Sequence, residues 1–177
     1  MSKEEDKTKI LLDADVIINF INGNKLSLLP KIFPNRFCII DRVKKELSKR
    51  KSAKILVDNF IQTENIEEIS FPDTDYEILR EYSILVSTDY GLGDGESACL
   101  AYARFRATYI SSSNLADVSK YCREHNIKNI PTMELLREAM NKKLMTEHEV
   151  DVFIQNCLSK GDRLPARIWK DYEKVSK

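Results

Sequence analysis

The chain has little histidine, no net charge and no long hydrophobic run, and each shortage removes a class of protein. Two histidines in 177 residues leave no basis for a histidine-rich metal site. The four cysteines, Cys38, Cys99, Cys122 and Cys157, lie far apart, form no CxxC pair and have no histidine close enough to complete a zinc pattern. They are expected to be buried free thiols. Lys and Arg number 28 and Asp and Glu 28, so the formal charge is zero, which excludes a polybasic tail and an acidic solvating domain. No apolar stretch approaches the ~20 residues needed to span a bilayer, and the opening MSKEEDKTK is too charged for a signal peptide. A soluble, cytoplasmic protein without membrane contact is expected. If metal chemistry occurs, carboxylates must carry it. A chain of this length, 42% hydrophobic, can bury roughly two-thirds of its unfolded surface in one core.

The apolar pattern predicts an alternation of strands and helices. Ile10-Leu11-Leu12 ends abruptly at Asp13-Ala14-Asp15, as a buried strand does on reaching the sheet edge. Val16, Ile17, Phe20 and Ile21 follow at helical spacing until Asn22-Gly23-Asn24 stops them. Phe37 to Ile40 is a second strand, after which Asp41 caps one long helix carrying Val43, Leu47, Ala53, Leu56 and Phe60 on its apolar stripe. Ile66 to Phe71 is a third strand, 76–86 a helix, 87–95 a glycine-rich loop and 96–106 a helix. A fourth strand at 108–111, a helix at 115–125 and a short fifth strand at 128–130 complete the pattern. This is an α/β arrangement with a mostly parallel sheet of 4–5 strands, whose functional groups belong at the strand C-terminal edges.

After Pro131 only helices are predicted. Thr132 caps the first, and Thr146 with Glu149 forms a capping box for the next, which buries Val150, Phe153, Ile154, Cys157 and Leu158. Lys160-Gly161-Asp162 breaks it, and Ile168, Trp169 and Tyr172 mark a last helix. The expected division is 1–131 and a helical extension, 132–177, packed on the same core. The Val150 to Leu158 stripe also offers an apolar surface for a homodimer.

The acids sit at informative places. Asp13 ends strand one, Glu46 lies one turn into the helix after strand two, and Asp94 and Glu96 flank a helix start. Strand ends and following helix starts converge in a parallel α/β wind. Carboxylates gathered there repel one another unless protons or a cation intervene, and oxygen-only donors suit Mg²⁺ or Mn²⁺. Around Glu46 stand Arg42, Lys44, Lys45, Lys49, Arg50, Lys51 and Lys54, either a phosphate track or the solvated face of a helix. Glu64 to Glu81 holds seven acids and one Arg, which balances the charge. GLGDGE has glycines but no GK[ST], so it is not a nucleotide-cradling loop.

Taken in order, LLDADVIINFI, IIDRVKKEL, GLGDGESACLAYA and TYISSSNLADVSKYC resemble the PIN (PilT N-terminus) domain family over about residues 9 to 131. The remainder resembles the C-terminal helices of one subgroup. The resemblance implies a three-layer α/β/α sandwich and a Mg²⁺- or Mn²⁺-dependent ribonuclease. It also implies a toxin of VapC-like type, with RNA and a cognate antitoxin protein as partners. Asp13, Glu46 and Glu96 match the catalytic, metal-holding acids, with Asp94 as an extra neighbour. Asp15 stands where Asn, Ser or Thr is usual. At the fourth acidic position this chain has Ser111-Ser112-Ser113-Asn114. Ser113 and Asn114 then adjoin metal or substrate, and Asp117, a turn later, is either a substitute acid or an ordinary first-turn residue behind an Asn114 cap. Arg42, Lys44, Lys45 and Lys49 are the expected RNA contacts. Two other functions fit the residues. One is a PIN fold with a degraded site that acts as a binding or regulatory protein. The other is a haloacid-dehalogenase-like phosphatase, with ILLDADV supplying Asp13 as nucleophile and GDGES a late acidic loop.

Overall fold

A computed structural model describes residues 6–87, 91–114 and 116–176. The first five residues of the charged lead-in, positions 88–90 of the expected 87–95 loop, Leu115 at the expected helix start and the final residue of the extension lie outside the described residues. The chain runs β1 (Ile10–Leu12), α1 (Ala14–Asn22), a 3-10 turn (Leu26–Leu28), α2 (Leu29–Ile32), β2 (Phe37–Ile40), α3 (Asp41–Leu47) and α4 (Lys51–Thr63). It continues through β3 (Glu67–Ile69), α5 (Tyr76–Leu85), α6 (Asp94–Arg106), β4 (Tyr109–Ser111), α7 (Asp117–Glu124), α8 (Thr132–Asn141), α9 (Glu147–Ser159) and α10 (Trp169–Val175). The four strands are parallel in the order β3-β2-β1-β4, and helices cover the sheet in a three-layer α/β/α sandwich.

Strand burial follows from position. β1 and β2 are central, so Ile10, Leu11, Leu12, Phe37, Cys38, Ile39 and Ile40 are all buried, as in strands covered on both faces. β3 is an edge strand and carries Glu67 and Glu68 to solvent, which blunts the edge. All four cysteines are free and buried.

Several local expectations need correction. The long helix after β2 is two helices. The Ser48 hydroxyl donates to the Lys44 carbonyl at 2.8 Å, while Lys49 and Arg50 N–H groups bond three residues back, tightening and ending α3. Asp41 is not a cap: its carboxylate accepts the Phe71 N–H at 3.2 Å and ties down the chain after β3. Thr132 likewise does not cap α8, because its hydroxyl is engaged by Asn19 and Ser113. The fifth strand reduces to one parallel bridge, Ile110 to Asn129, because the Asn129 side chain takes the place of the next backbone pair, accepting the Ser112 N–H at 3.0 Å and donating to its carbonyl at 3.2 Å. The third strand covers only Glu67–Ile69, and the short helical segment before β2, which the apolar pattern did not mark, buries Leu28, Leu29 and Ile32.

The capping box of α9 is formed, with Thr146 Oγ1 accepting the Glu149 N–H at 3.3 Å and the Glu149 carboxylate accepting the Thr146 N–H at 2.9 Å. The stripe behind it does not offer a dimer surface. Val150, Phe153, Ile154 and Cys157 are at most 1% exposed because they join the chain's own core, each large side chain contributing about 1.5–3 kcal/mol by burial. Phe153 meets Phe20 edge to face at 5.1 Å, and a Cβ at Gly23 would overlap the Phe153 ring, so glycine there lets α1 and α9 meet. Among the described residues, no helix is long and apolar enough to cross a membrane.

Candidate active site

At the C-terminal edge of the sheet lies a pocket of about 630 Å³, within the ~300–1,000 Å³ usual for ligand sites. Asp13, Asp15, Glu46, Glu96, Ser113 and Asn114 line it together. The fold brings them from four separate stretches of chain.

Asp13 follows β1 directly. Its backbone N–H bonds Ser111 O at 3.0 Å, which holds it against β4, and its carboxylate accepts the Ala14 N–H at 2.7 Å where α1 begins. It is 3% exposed. Burial pushes its carboxyl up to about 8, with the Glu96 and Asp15 charges adding, against hydrogen bonds from Ser112 and Ala14. Asp15 is raised as well, by burial and the Asp162 charge, with Arg50 opposing.

Glu46 reaches the site because α3 packs tightly on α6. A Cβ at Gly95 would stand 2.8 Å from Glu46 Oε2 and 3.2 Å from Val43 Cα, so a side chain there would displace the Glu46 carboxylate and crowd the α3–α6 contact. The next residue, Glu96, in the first turn of α6, faces Asp13. Burial is the chief cause that lifts its carboxyl to about 7, and the Asp15 and Asp117 charges add to it. Asn114 Nδ2 and Ser112 Oγ donate to its two oxygens at 3.3 and 3.4 Å. The polar residues at the fourth position therefore orient the third acid instead of supplying another.

Ser113 turns the other way. Its hydroxyl is 2.7 Å from Thr132 Oγ1, and Asn19 Nδ2 donates to both at 3.2 and 2.9 Å, which joins α1, the chain after β4 and the start of α8. Asn19 was not anticipated, although a buried polar residue among Val16, Ile17 and Phe20 is a visible signal.

Other expected residues stand apart. Asp94 is outside the pocket: Tyr82 donates to it at 2.6 Å and Arg42 at 3.2 Å. Burial alone would raise its carboxyl, but these hydrogen bonds and the Arg42 charge hold it below the usual range. Arg42 also pairs with Asp73 at 2.6 Å and lies 4.4 Å from the Phe71 and Tyr82 ring centres. Lys44 is engaged by Glu68 at 2.6 Å and by Asp58 at 3.7 Å. Lys45 and Lys49 are exposed and do not line the pocket. Asp117 acts on Glu96 through its charge but also lies outside; its N–H bonds Asn114 Oδ1 at 3.4 Å, the ordinary helix-start role. Of the basic run only Arg50 lines the pocket, beside Asp162 and Arg163 from the loop after α9, which sequence spacing did not connect to the site.

Among the described residues, no three His, Cys, Asp or Glu side chains are placed so that they could hold a metal ion together. The donor chemistry nonetheless suits a hard cation that keeps several waters. The lining acids offer only oxygen, and burial with the neighbouring carboxylate charges disfavours the ionised forms of Asp13 and Glu96.

A family model described as a PIN domain matches residues 9–175. No curated protein matches the chain. Among solved structures, the chain is similar to VapBC2 from Rickettsia felis, solved bound to a DNA fragment from their promoter. That match has 17% identity and a TM-score of 0.50, covering 69% of this chain and 97% of that one. A toxin–antitoxin complex from Klebsiella pneumoniae is similar at 16% identity and a TM-score of 0.48, over 63% of this chain and 91% of that one.

Proposed function

The chain belongs to the PIN domain family, and from that membership we propose that it is a divalent-metal-dependent nuclease that hydrolyses RNA phosphodiester bonds in the cytoplasm. The observation that carries this reading is the gathering of Asp13, Glu46 and Glu96 in one pocket at the sheet edge, where burial and neighbouring carboxylates raise the carboxyls of Asp13 and Glu96. These three acids would hold the ion, Mg²⁺ or Mn²⁺, which would supply an activated water and neutralise phosphoryl charge. Asp13 is set by β1 and the first turn of α1. Ser112 and Asn114 orient Glu96, and Gly95 lets Glu46 approach. Through the family resemblance to VapC-like toxins, the natural partner is a small antitoxin protein. An adjacent reading frame whose product co-purifies with this chain is the expected finding.

The test is degradation of single-stranded RNA by the purified chain with and without Mg²⁺ or Mn²⁺. Asp13→Asn and Glu96→Gln are each expected to lower cleavage on the order of 10³-fold. Activity that persists unchanged in both variants belongs to a contaminant and rejects the reading.

A second reading, a PIN fold that binds without cleaving, draws on Ser112 and Asn114, which occupy the fourth acidic position with hydrogen-bond donors. RNA binding without metal-dependent cleavage selects it. The phosphatase alternative lacks its second motif, since Asp94 opens α6 and is held by Arg42 and Tyr82 away from Asp13.

A further inference from the structure

We infer that Arg50 and Arg163 form the phosphate-gripping pair of this pocket, so that the C-terminal extension completes the substrate site. The inference rests on the nuclease reading and names how a polyanionic strand is held there.

A pocket walled by Asp13, Asp15, Glu46 and Glu96 repels a phosphodiester unless cationic side chains face it. The basic run after β2 contributes less than its composition suggests. Arg42, Lys44 and Lys54 are neutralised by Asp73 and Asp94, by Glu68, and by Asp58, at 2.6 Å for the shortest contact of each. Arg50 differs because the break between α3 and α4 turns it into the pocket, where its charge acts on Asp15. Arg163 arrives from the other end of the chain. Both are exposed, and among the described residues neither guanidinium makes an ion pair or hydrogen bond. Each is thus a planar fork of donors available to phosphate.

The loop that carries Arg163 is built in place. Asn22, at the end of α1, donates to both Asp162 oxygens at 2.9 and 2.8 Å, and the Asp162 N–H bonds Cys157 O at 3.1 Å. Cys157 in turn donates through Sγ to Asn19 O at 3.2 Å. α1 therefore fixes Asp15 and the loop that presents Arg163 as one unit. Fixing the loop before the ligand arrives leaves only the Arg163 side chain to be ordered on binding, which lowers the ordering cost.

The experiment uses the full chain in an Asp13→Asn background with Mg²⁺, and measures binding of a fluorescent eight-nucleotide single-stranded RNA by anisotropy across a salt series. Cleavage is assayed in the otherwise unaltered chain. Arg50→Ala and Arg163→Ala are each expected to weaken binding about tenfold. Each should make the slope of log affinity against log salt shallower by about 0.7. Arg163→Lys should restore the slope but only part of the affinity, since the charge returns without the fork. Lys170→Ala removes a charge from the same extension outside the pocket and should change neither. If Arg163→Ala melts early, Arg163→Gln, which keeps much of the stem and loses the charge, decides by its slope. Parental affinity and slope in the arginine variants, with the unaltered chain binding and cleaving, overturn the inference and leave the nuclease reading standing. A parent that neither binds nor cleaves overturns both.

Discussion

Asp94 and Glu96 stand two residues apart at the start of one helix, yet their surroundings are opposite. Asp94 turns to Arg42, which is pressed against Phe71 and Tyr82 and also holds Asp73, and its carboxyl falls below the usual range. Glu96 turns to Asp13, and both are raised, to about 7 and about 8. One cluster is neutralised by the protein and is part of the fold. In the other, burial and neighbouring carboxylates disfavour the charged forms, a condition that costs stability at neutral pH and is concentrated at functional sites.

The largest expected effect separates the two clusters by activity. Glu96→Gln should lower RNA cleavage on the order of 10³-fold, while Asp94→Asn should change it by less than about threefold. Equal losses in single-turnover assays would erase the distinction.

The clusters should also titrate with opposite sign. Asp13 and Glu96 bind protons more tightly folded than unfolded. The metal-free protein should therefore lose stability, on the order of a few kcal/mol, as pH rises from about 4 to about 8. Asp94, held low, contributes stability that is present above its ordinary range and lost on acidification below about pH 4. Chemical denaturation from pH 3 to 9 reads both slopes, and Asp13→Asn should flatten the upper one. Mg²⁺ should raise the melting temperature most at the high end, where protons no longer compete for the acids.

Two substitutions test the geometry behind the contrast. Gly95→Ala forces a methyl against Glu46 and the Val43 backbone, and should cost about 1–3 kcal/mol together with cleavage activity. A melting temperature equal to the parent's would show that α3 and α6 can separate freely. Arg42→Ala should cost about 1–2 kcal/mol by releasing Asp73 and Asp94 and uncovering the two rings. Retained stability in urea denaturation would mean that the neutralised cluster is not structural.

Much of the fold was legible because its signals are local. Ile10-Leu11-Leu12 and Phe37 to Ile40 are continuous apolar runs of strand length, and both are central strands. Thr146 and Glu149 form the predicted capping box. The single long helix failed because apolar spacing continues from Leu47 to Ala53, while the second bond from Ser48 Oγ to the Lys44 carbonyl and the three-residue bonds of the Lys49 and Arg50 N–H groups leave no mark on that spacing. The homodimer stripe failed because periodicity shows that a face is apolar and not what covers it; Phe20 and Gly23 do. The pocket gathers Asp13, Glu46 and Glu96, which their places at strand ends and helix starts had singled out, with Asp15, Ser113 and Asn114, which the family resemblance had added. Asp94 and the Arg42 to Lys49 run were harder, since charge composition does not show which ions pair.

By itself the sequence determined the four strands and most of the helices between them, the placing of acids at strand ends and the restriction of any metal chemistry to carboxylate oxygen. These follow from patterns of a few residues and from what the chain lacks. Only the tertiary structure decided which acids are neutralised, where Arg50 points, and that Asp162 and Arg163 line the same pocket as Asp13. Ionisation and ion pairing depend on distance through space and on burial, and both are set when α1, α3, α6 and the loop after α9 pack together.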